Sequence, residues 1–256
     1  MIPRHSPRTL DDMRPAGAFV ASVLQRVSQA AIPGANLLDL DALAHEMIRE
    51  SGAISCYVDY HPSFGGSPFG KVICTSVNDA ALHGLPHDYT LEHGDLLSLD
   101  FAVSLNGWVT DSALSLIVGG TGTTEDQRLI DTCEEALLAG IAAATPGNRL
   151  GDISAAIGAV SRAAGYSVNT DFGGHGVGRT MHEDPSIPND GSAGSGPALK
   201  PGMVFAIEPW LMHTTDEIYT DADGWTLRSA DGSRSAHVEH TVAITKTGPL
   251  VLTART

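Results

Sequence analysis

Two histidines and four carboxylates stand where the surrounding sequence argues against charge. His175 and His182 lie seven residues apart in GGHGVGRTMHEDP (173–185), among four glycines. Histidine is the commonest metal ligand and proton carrier near neutral pH, and glycine lets the backbone pass close to a ligand. The stretch is not a phosphate loop: no Gly-Lys-Ser/Thr follows, and its glycines read G-x-G-x-G where a dinucleotide site needs G-x-G-x-x-G. Nor is it a His-Glu-x-x-His zinc helix. Its chemical partners have to come from elsewhere in the chain.

The carboxylates are Asp100 in LLSLDFAV, Asp111 in WVTDSALSLIV, Glu208 in MVFAIEPWLM and Glu239 in AHVEHTVAIT, all in strand-like contexts. A buried carboxylate is costly unless it is paired, hydrogen-bonded or bound to a metal. One alone reads as a strand-end residue facing solvent or a structural arginine. Four, with a glycine-flanked histidine, point to a metal site. Asn106-Gly107 between the two aspartates favours a two-residue hairpin turn. Such a turn sets Asp100 opposite Ala113 and Asp111 opposite Ala102, so both aspartates share a face as diagonal neighbours. A three-residue loop or a bulge would break that register. Four carboxylates carry too much charge for one divalent ion, but two ions sharing bridging carboxylates balance it. Hard oxygen donors suit Mn, Fe or Co, whereas structural zinc more often takes thiolates. Two such ions can activate a water and polarise a carbonyl, which makes hydrolysis the natural reaction class.

Apolar periodicity predicts helices over 11–29, with Pro15 in the first turns, and from Asp39 to Gly52. A third opens at Thr124 with Gln127 completing a capping box and ends at Pro146-Gly147; a fourth runs from Asp152 to Gly165. Strand-like segments cover 71–77, 95–103, 108–118, 202–212, 236–245 and 249–253, and the polar run 188–202 reads as a surface loop. Residues 32–53 lie over 145–166 at a constant offset of 113, with Pro33, Gly34, Asp39, Ala42 and Gly52 matched by Pro146, Gly147, Asp152, Ala155 and Gly165. Helix punctuation alone produces some such matches, but five at one offset favour a duplicated half. Helices then strands, twice, predict an α+β fold with mostly antiparallel sheet backed by helices.

With 256 residues, 42% hydrophobic and 18% charged, the chain can bury a sizeable core. Its net charge of −15 argues against binding nucleic acid or an anionic membrane non-specifically. Cys56, Cys74 and Cys133 are odd in number and widely spaced, as expected of reduced thiols in a cytoplasm. No signal core or membrane-length apolar run is present, so a cytoplasmic protein is expected.

The motifs CTSVNDAALHGLP (74–86), SLDFAVSLNGWVTDSA (98–113), GGHGVGRTMHEDP (173–185), FAIEPW (205–210) and SAHVEHT (235–241) together resemble the type I methionine aminopeptidases of bacterial type, without an N-terminal zinc-binding extension. The resemblance runs from about residue 11 to nearly the end of the chain, with the motifs in the family's order. It implies the pita-bread (creatinase/aminopeptidase) fold, with antiparallel sheet backed by helices in two pseudo-symmetric halves. One catalytic domain, 1–256, is expected, with residues 1–10 as an N-terminal extension and halves of about 11–120 and 121–256. The family's ligand set maps onto Asp100, Asp111, His175, Glu208 and Glu239. Asp111 and Glu239 would bridge the ions, Asp100 would complete one site, and His175 with Glu208 the other. Glu208 is also the expected general acid/base. His83 would lie near the substrate amino group and scissile bond, and His182 would donate to the carbonyl or its oxyanion. The methionine pocket is expected from Cys74, Met181 and Trp225, with Phe69. Ordinary core packing is the competing reading for these four. The stretch 60–74 looks longer than the commonest form, and Met181 replaces a position often aromatic.

The resemblance further implies two divalent metal ions per chain (Co, Mn or Fe, with Zn or Ni as alternatives) and removal of N-terminal methionine from nascent proteins and peptides with a small second residue. The expected partner is a peptide or nascent-chain N-terminus beginning with Met, near ribosomes, acted on by a monomer. His5, His45, His61, His87, His93, His213, His237 and His240 are read as structural. Two rivals stand beside this reading. An X-Pro peptidase of the same fold usually carries a long N-terminal domain, whereas here the first motif begins by residue 74. A non-catalytic peptide-binding relative tends to lose ligands, and all five are present. The type II enzymes insert a helical segment between the second histidine and the next glutamate, but only 25 residues separate His182 from Glu208.

Overall fold

Ser6 opens the first helix: its hydroxyl accepts from the Thr9 N–H at 3.1 Å, and Pro7 follows it in the first turn. This computed structural model describes residues 2–62 and 67–255. Residues 63–66, within the stretch read as longer than usual, lie outside the described residues. Helix α1 runs Pro7–Ala30, starting a turn before residue 11, so Pro15 falls in its interior and not in its first turns. Leu10 is buried and the His5 N–H donates to the Gly202 carbonyl at 2.7 Å, which ties residues 5–10 to the body of the protein. Helix α2 (Leu37–Ser51) is capped by Asn36 and ends on Gly52 in a left-handed conformation. Helix α3 (Thr124–Ala143) has its capping box one residue earlier than Thr124/Gln127, between Thr123 and Asp126. Helix α4 is Leu150–Ala163, and Asp152 sits three residues inside it, accepting from the Arg149 N–H at 2.7 Å. The helix pairs carry the repeat: α1 and α3 end at Ala30 and Ala143, and α2 and α4 begin at Leu37 and Leu150, both at the offset of 113.

The strands are β1 (Ile54–Ser55), β2 (Cys74–Val77), β3 (Ala80–Leu82), β4 (Leu96–Leu105), β5 (Trp108–Ile117), β6 (Gly173–Gly176), β7 (Glu183–Pro188), β8 (Val204–Ile207), β9 (Trp210–Met212), β10 (Ile218–Thr220), β11 (Leu227–Ser229), β12 (Ser235–His237), β13 (His240–Thr245) and β14 (Gly248–Val251). Strand β4 pairs with β1, β2 and β5; a second sheet has the order β14-β13-β8-β6-β7; and two small sheets are β10-β11-β3 and β12-β9. Every ladder between these strands is antiparallel. One core packs Val20 and Leu24 of α1 and Leu40 of α2 against Leu99 and Phe101 of β4. The other packs Leu129 and Ile153 of α3 and α4 against Phe205 and Val242. Each half is thus an antiparallel sheet backed by a helix pair. No helix among the described residues is long and apolar enough to cross a membrane.

Two long strands expected at 202–212 and 236–245 are each broken in two. Pro209, lacking an N–H, cannot continue a ladder, and β8 gives way to β9 around Glu208-Pro209. The strand alongside is broken at the same level: His240 pairs with Ile207, and His237 with Trp210. Glu208 and Glu239 are therefore neither of them ladder residues; they lie side by side at a paired kink.

The glycines of GGHGVG serve strand packing. A Cβ at Gly174 would meet the Ala206 carbonyl oxygen at 2.3 Å, and one at Gly176 the Asp184 carbonyl oxygen at 2.1 Å. The backbone they crowd is that of neighbouring strand residues, not the space between the two histidines. We expect Gly176→Ala to lower stability by about 3 kcal/mol, as overpacking against rigid backbone does. The check is the denaturant midpoint, and an unchanged midpoint would contradict this packing.

Candidate metal centre

The hairpin builds the first half of the site. Asn106 and Gly107 both have positive φ, 54° and 74°, as a type I′ turn requires. The ladder pairs Asp100 with Ala113 and Ala102 with Asp111, the register expected from the turn. Glu239 joins through its backbone: its N–H donates to the Ala113 carbonyl at 3.0 Å, and its carbonyl accepts from the Ala113 N–H at 3.3 Å. Thr241 clamps the same level, its hydroxyl accepting from the Asp111 N–H and donating to the Asp111 carbonyl, both at 2.8 Å. His175 on β6 pairs with Ala206 of β8, two residues before Glu208.

All five expected ligands, with His83 and His182, converge on one pocket of about 470 Å³, part of it open to solvent. Asp111, His175 and Glu239 each offer a ligand atom within 4.8 Å of the others. Nε2 of His175 lies 3.5 Å from Glu208 Oε1 and 4.0 Å from Asp111 Oδ2. Nδ1 of His175 is 2.9 Å from the Gly176 carbonyl, a hydrogen bond that places the proton on Nδ1 and leaves the Nε2 lone pair facing the carboxylates. Glu239 is 2% exposed and its Oε1 has no hydrogen-bond partner. No lysine or arginine is among the described residues lining the pocket. Hard donors, an orphaned buried carboxylate oxygen and the lack of a cationic side chain among the described lining residues are together what a divalent-cation site requires.

The electrostatics carry the same message. Burial, with its hydrogen bonds working the other way, pushes Asp100 up to about 6. Burial and then the Asp100 charge push Glu208 up to about 8. Burial and then the charges of Asp100 and Glu208 hold Asp111 well above the usual carboxylate range. Burial and then the charges of Asp111, Glu208 and Asp100 do the same to Glu239, with the Arg255 charge opposing. Burial pushes His175 down to about 3, so its imidazole is neutral, as a ligand must be. A raised carboxyl pKa stabilises the metal-free fold below the unfolded value and loses that stability as pH rises through the folded value. For Glu208 the window runs from its ordinary 4.5 to about 8. Depressed imidazoles act oppositely, stabilising above 6.5 and losing that below it; they include His83, lowered to about 4, and His237, lowered to about 3, both by burial. Between 6.5 and 8 the carboxyls dominate. The metal-free protein is therefore expected to melt at a lower temperature at pH 8 than at pH 6.5, and a divalent cation should cancel the difference. Calorimetric melts with and without chelator measure this, and a flat metal-free profile would contradict it.

The pocket's other end is apolar. Phe69 meets Trp225 edge-on at 5.2 Å and Tyr57 at 5.7 Å, and Tyr60 lies 6.2 Å from Trp225. Cys74 and Met181, both buried, line the same space. The four residues expected for a methionine pocket are thus gathered at the site, and all four also belong to one apolar cluster. His83 holds a φ of +55°, an unfavourable conformation outside glycine, and its buried Nδ1 has no hydrogen-bond partner. His182 is exposed at the rim, its ring 4.3 Å from that of His175.

Three site residues escaped the sequence reading. The Tyr57 hydroxyl donates to Asp100 Oδ1 at 2.7 Å. The Tyr60 hydroxyl is 3.2 Å from His182 Nδ1. His237, read as structural, has its Nε2 3.7 Å from Glu208 Oε2. The tyrosines carry no motif; the one available signal was two aromatics in a polar loop entering a motif-rich region. For His237 the signal was its place two residues before Glu239.

The model of metallopeptidase family M24 matches residues 11–246. Methionine aminopeptidase 1 of Mycobacterium tuberculosis is 44% identical, over 99% of this chain and 95% of that protein. The crystal structure of methionine aminopeptidase from Thermotoga maritima is 36% identical with a TM-score of 0.94, covering 100% of both chains. Prolidase from Pyrococcus furiosus shares the fold at 21% identity and a TM-score of 0.76, over 99% of this chain and 66% of that one.

Proposed function

The chain belongs to metallopeptidase family M24, with the bacterial-type methionine aminopeptidases whose pita-bread fold it shares, and on that premise we propose that it removes the N-terminal methionine from nascent proteins and peptides, preferring a small second residue. The observation that carries this reading is a cluster of four carboxylates and a neutral imidazole in an apolar, aromatic-walled pocket that no cationic side chain lines among the described residues. As an M24 peptidase it uses divalent metal; two ions, of Mn, Fe or Co, fit the charge of the cluster, with Zn or Ni as alternatives. Asp111 and Glu239 are proposed as the shared ligands, with Asp100 on one side and His175 and Glu208 on the other. When bound, the ions supply Lewis acidity and an activated water.

The chain's own residues supply the rest. Phe69, Cys74, Met181 and Trp225, with Tyr60, would take the methionine side chain, each buried methylene contributing about 0.8 kcal/mol. The carboxylate end favours a free α-ammonium, which makes the reaction exopeptidic. Glu208 would take a proton and return it to the leaving amine. His83, half-buried and lining the same pocket, would face the substrate amino group and scissile bond. His182 donates to the carbonyl oxygen: a Tyr60 hydroxyl donating to Nδ1 leaves the ring proton on Nε2. All of these groups come from one chain, read as one catalytic domain, so the reading needs only a monomer acting on a peptide or on a chain emerging from the ribosome.

The test is release of free methionine from Met-Ala-Ser by protein reconstituted with Mn, Fe or Co, beside N-acetyl-Met-Ala-Ser, Met-Leu-Ser and Ala-Pro. Cleavage of the first, with little of the others, is expected. Preferential cleavage of Ala-Pro would favour the X-Pro reading, and no cleavage with any metal would leave a peptide-binding module.

A further inference from the structure

His237 has no role in the reaction as described, yet its surroundings are those of a built position. It is 3% exposed on β12, opposite Trp210 of β9. Its backbone is held from both directions by one hydroxyl: its N–H donates to Ser115 Oγ at 2.9 Å, and its carbonyl accepts from Ser115 Oγ at 2.8 Å. Ser98 Oγ, 2.8 Å from Ser115 Oγ, fixes that hydroxyl in turn. The next residue, Val238, donates its N–H to the Pro209 carbonyl at 3.1 Å, so the chain carrying His237 is laced to the chain carrying Glu208 at the paired kink. The imidazole Nε2 is buried with no hydrogen-bond partner, and Glu208 Oε2 lies 3.7 Å from it. An imidazole nitrogen left unsatisfied in the interior is a cost that an apolar side chain would avoid. Glu208 Oε1, its other oxygen, faces His175 Nε2 at 3.5 Å. The carboxylate is thus gripped between a candidate ligand on one side and His237 on the other, while the Asn189 amide donates to the Glu208 carbonyl at 3.1 Å.

We propose that His237 is the positioning residue for Glu208: its Nε2–H donates to Oε2, which turns Oε1 towards His175 and the cluster. This rests on the reading of Glu208 as a ligand and acid/base. Outer partners of metal-ligating carboxylates typically change metal affinity by 10–100-fold when removed. His237 is not among the described residues lining the peptide pocket, and its electrostatic neighbours there are Glu208 and His83, not the methionine-pocket side chains, so its loss should fall on metal binding and turnover, not on recognition of methionine.

The test compares His237→Leu, which keeps bulk and removes the donor, with His237→Gln, which keeps a donor amide on a similar reach. Metal-free wild type and variants are titrated with Mn(II) by calorimetry, and kcat and KM are measured on Met-Ala-Ser. His237→Leu is expected to weaken Mn(II) binding and lower kcat each by about tenfold or more, with KM within about threefold. His237→Gln should restore most of both. In a Glu208→Gln background, His237→Leu should change Mn(II) affinity less than twofold, because the carboxylate it serves is gone. Should His237→Leu fail to fold, His237→Asn, whose shorter amide falls short of Glu208, takes its place. Wild-type Mn(II) affinity in the Leu variant, equal damage from Leu and Gln, or an undiminished loss in the Glu208→Gln background would each overturn the proposal. An inactive wild type would instead count against the aminopeptidase reading, and the calorimetric comparison would still decide the role of His237.

Discussion

Asp111→Asn is expected to lower kcat/KM for Met-Ala-Ser by about a thousandfold or more, roughly 4 kcal/mol of transition-state stabilisation, while raising the melting temperature of the metal-free protein. The two effects have one cause. Asp111 is 5% exposed, and burial and the charges of Asp100 and Glu208 push its pKa well above the usual range. In the metal-free fold its charge is a liability that Asn, nearly the same shape, relieves. With metal that same charge is the proposed shared ligand, and an amide oxygen is a poor substitute. Function and stability should therefore move in opposite directions, as at other sites where strain serves activity. Steady-state kinetics and a melt of the chelated protein at pH 8 test both halves. A variant that is active, or that is inactive only because it is less stable, would contradict the account.

His182→Ala is expected to lower kcat by about a hundredfold to a thousandfold with a much smaller change in KM, as removal of a single oxyanion donor does. Metal affinity should change little, because the ring is exposed at the rim and sits beside His175, not among the carboxylates. Tyr60→Phe should reproduce a small part of the loss, since without the hydroxyl near Nδ1 the ring can place its proton on either nitrogen. Kinetics on Met-Ala-Ser with metal binding measured alongside separates the two positions. A His182→Ala variant with weakened metal binding and unchanged kcat would move this histidine from substrate to ligand.

How far the site was legible in the sequence follows from how local each interaction is. The Asp100–Asp111 register was readable because Asn106-Gly107 dictates a two-residue turn, and the ladder then has one way to close. The helix pairs are readable as a repeat at an offset of 113, and α3 opens at Thr124 as expected, with its capping box one residue earlier; α2 and α4 begin two residues before Asp39 and Asp152, which lie inside the helices. Glu208 and Glu239 were found as charges out of place, but the paired kink that brings them together joins segments far apart in the chain, and no period in either segment announces it. Tyr57 reaches Asp100 from a loop that follows a two-residue strand, too short to leave a pattern. His237 is part of a strand and reads as core until the carboxylate opposite it is known. The glycines of GGHGVG suggested a crowded ligand; the crowding is real, but against neighbouring strand carbonyls.

Peptide hydrolysis is proposed to depend on a metal centre held by Asp100, Asp111, His175, Glu208 and Glu239, which line one pocket. Anaerobic titration of chelator-stripped protein with Mn(II) or Co(II), following heat and methionine release in the same samples, tests it most directly. The expected result is no release without metal, release that rises with occupancy up to two ions per chain, and loss of both binding and release in Asp111→Asn. Undiminished methionine release in the presence of chelator, or wild-type metal binding by Asp111→Asn, would contradict it.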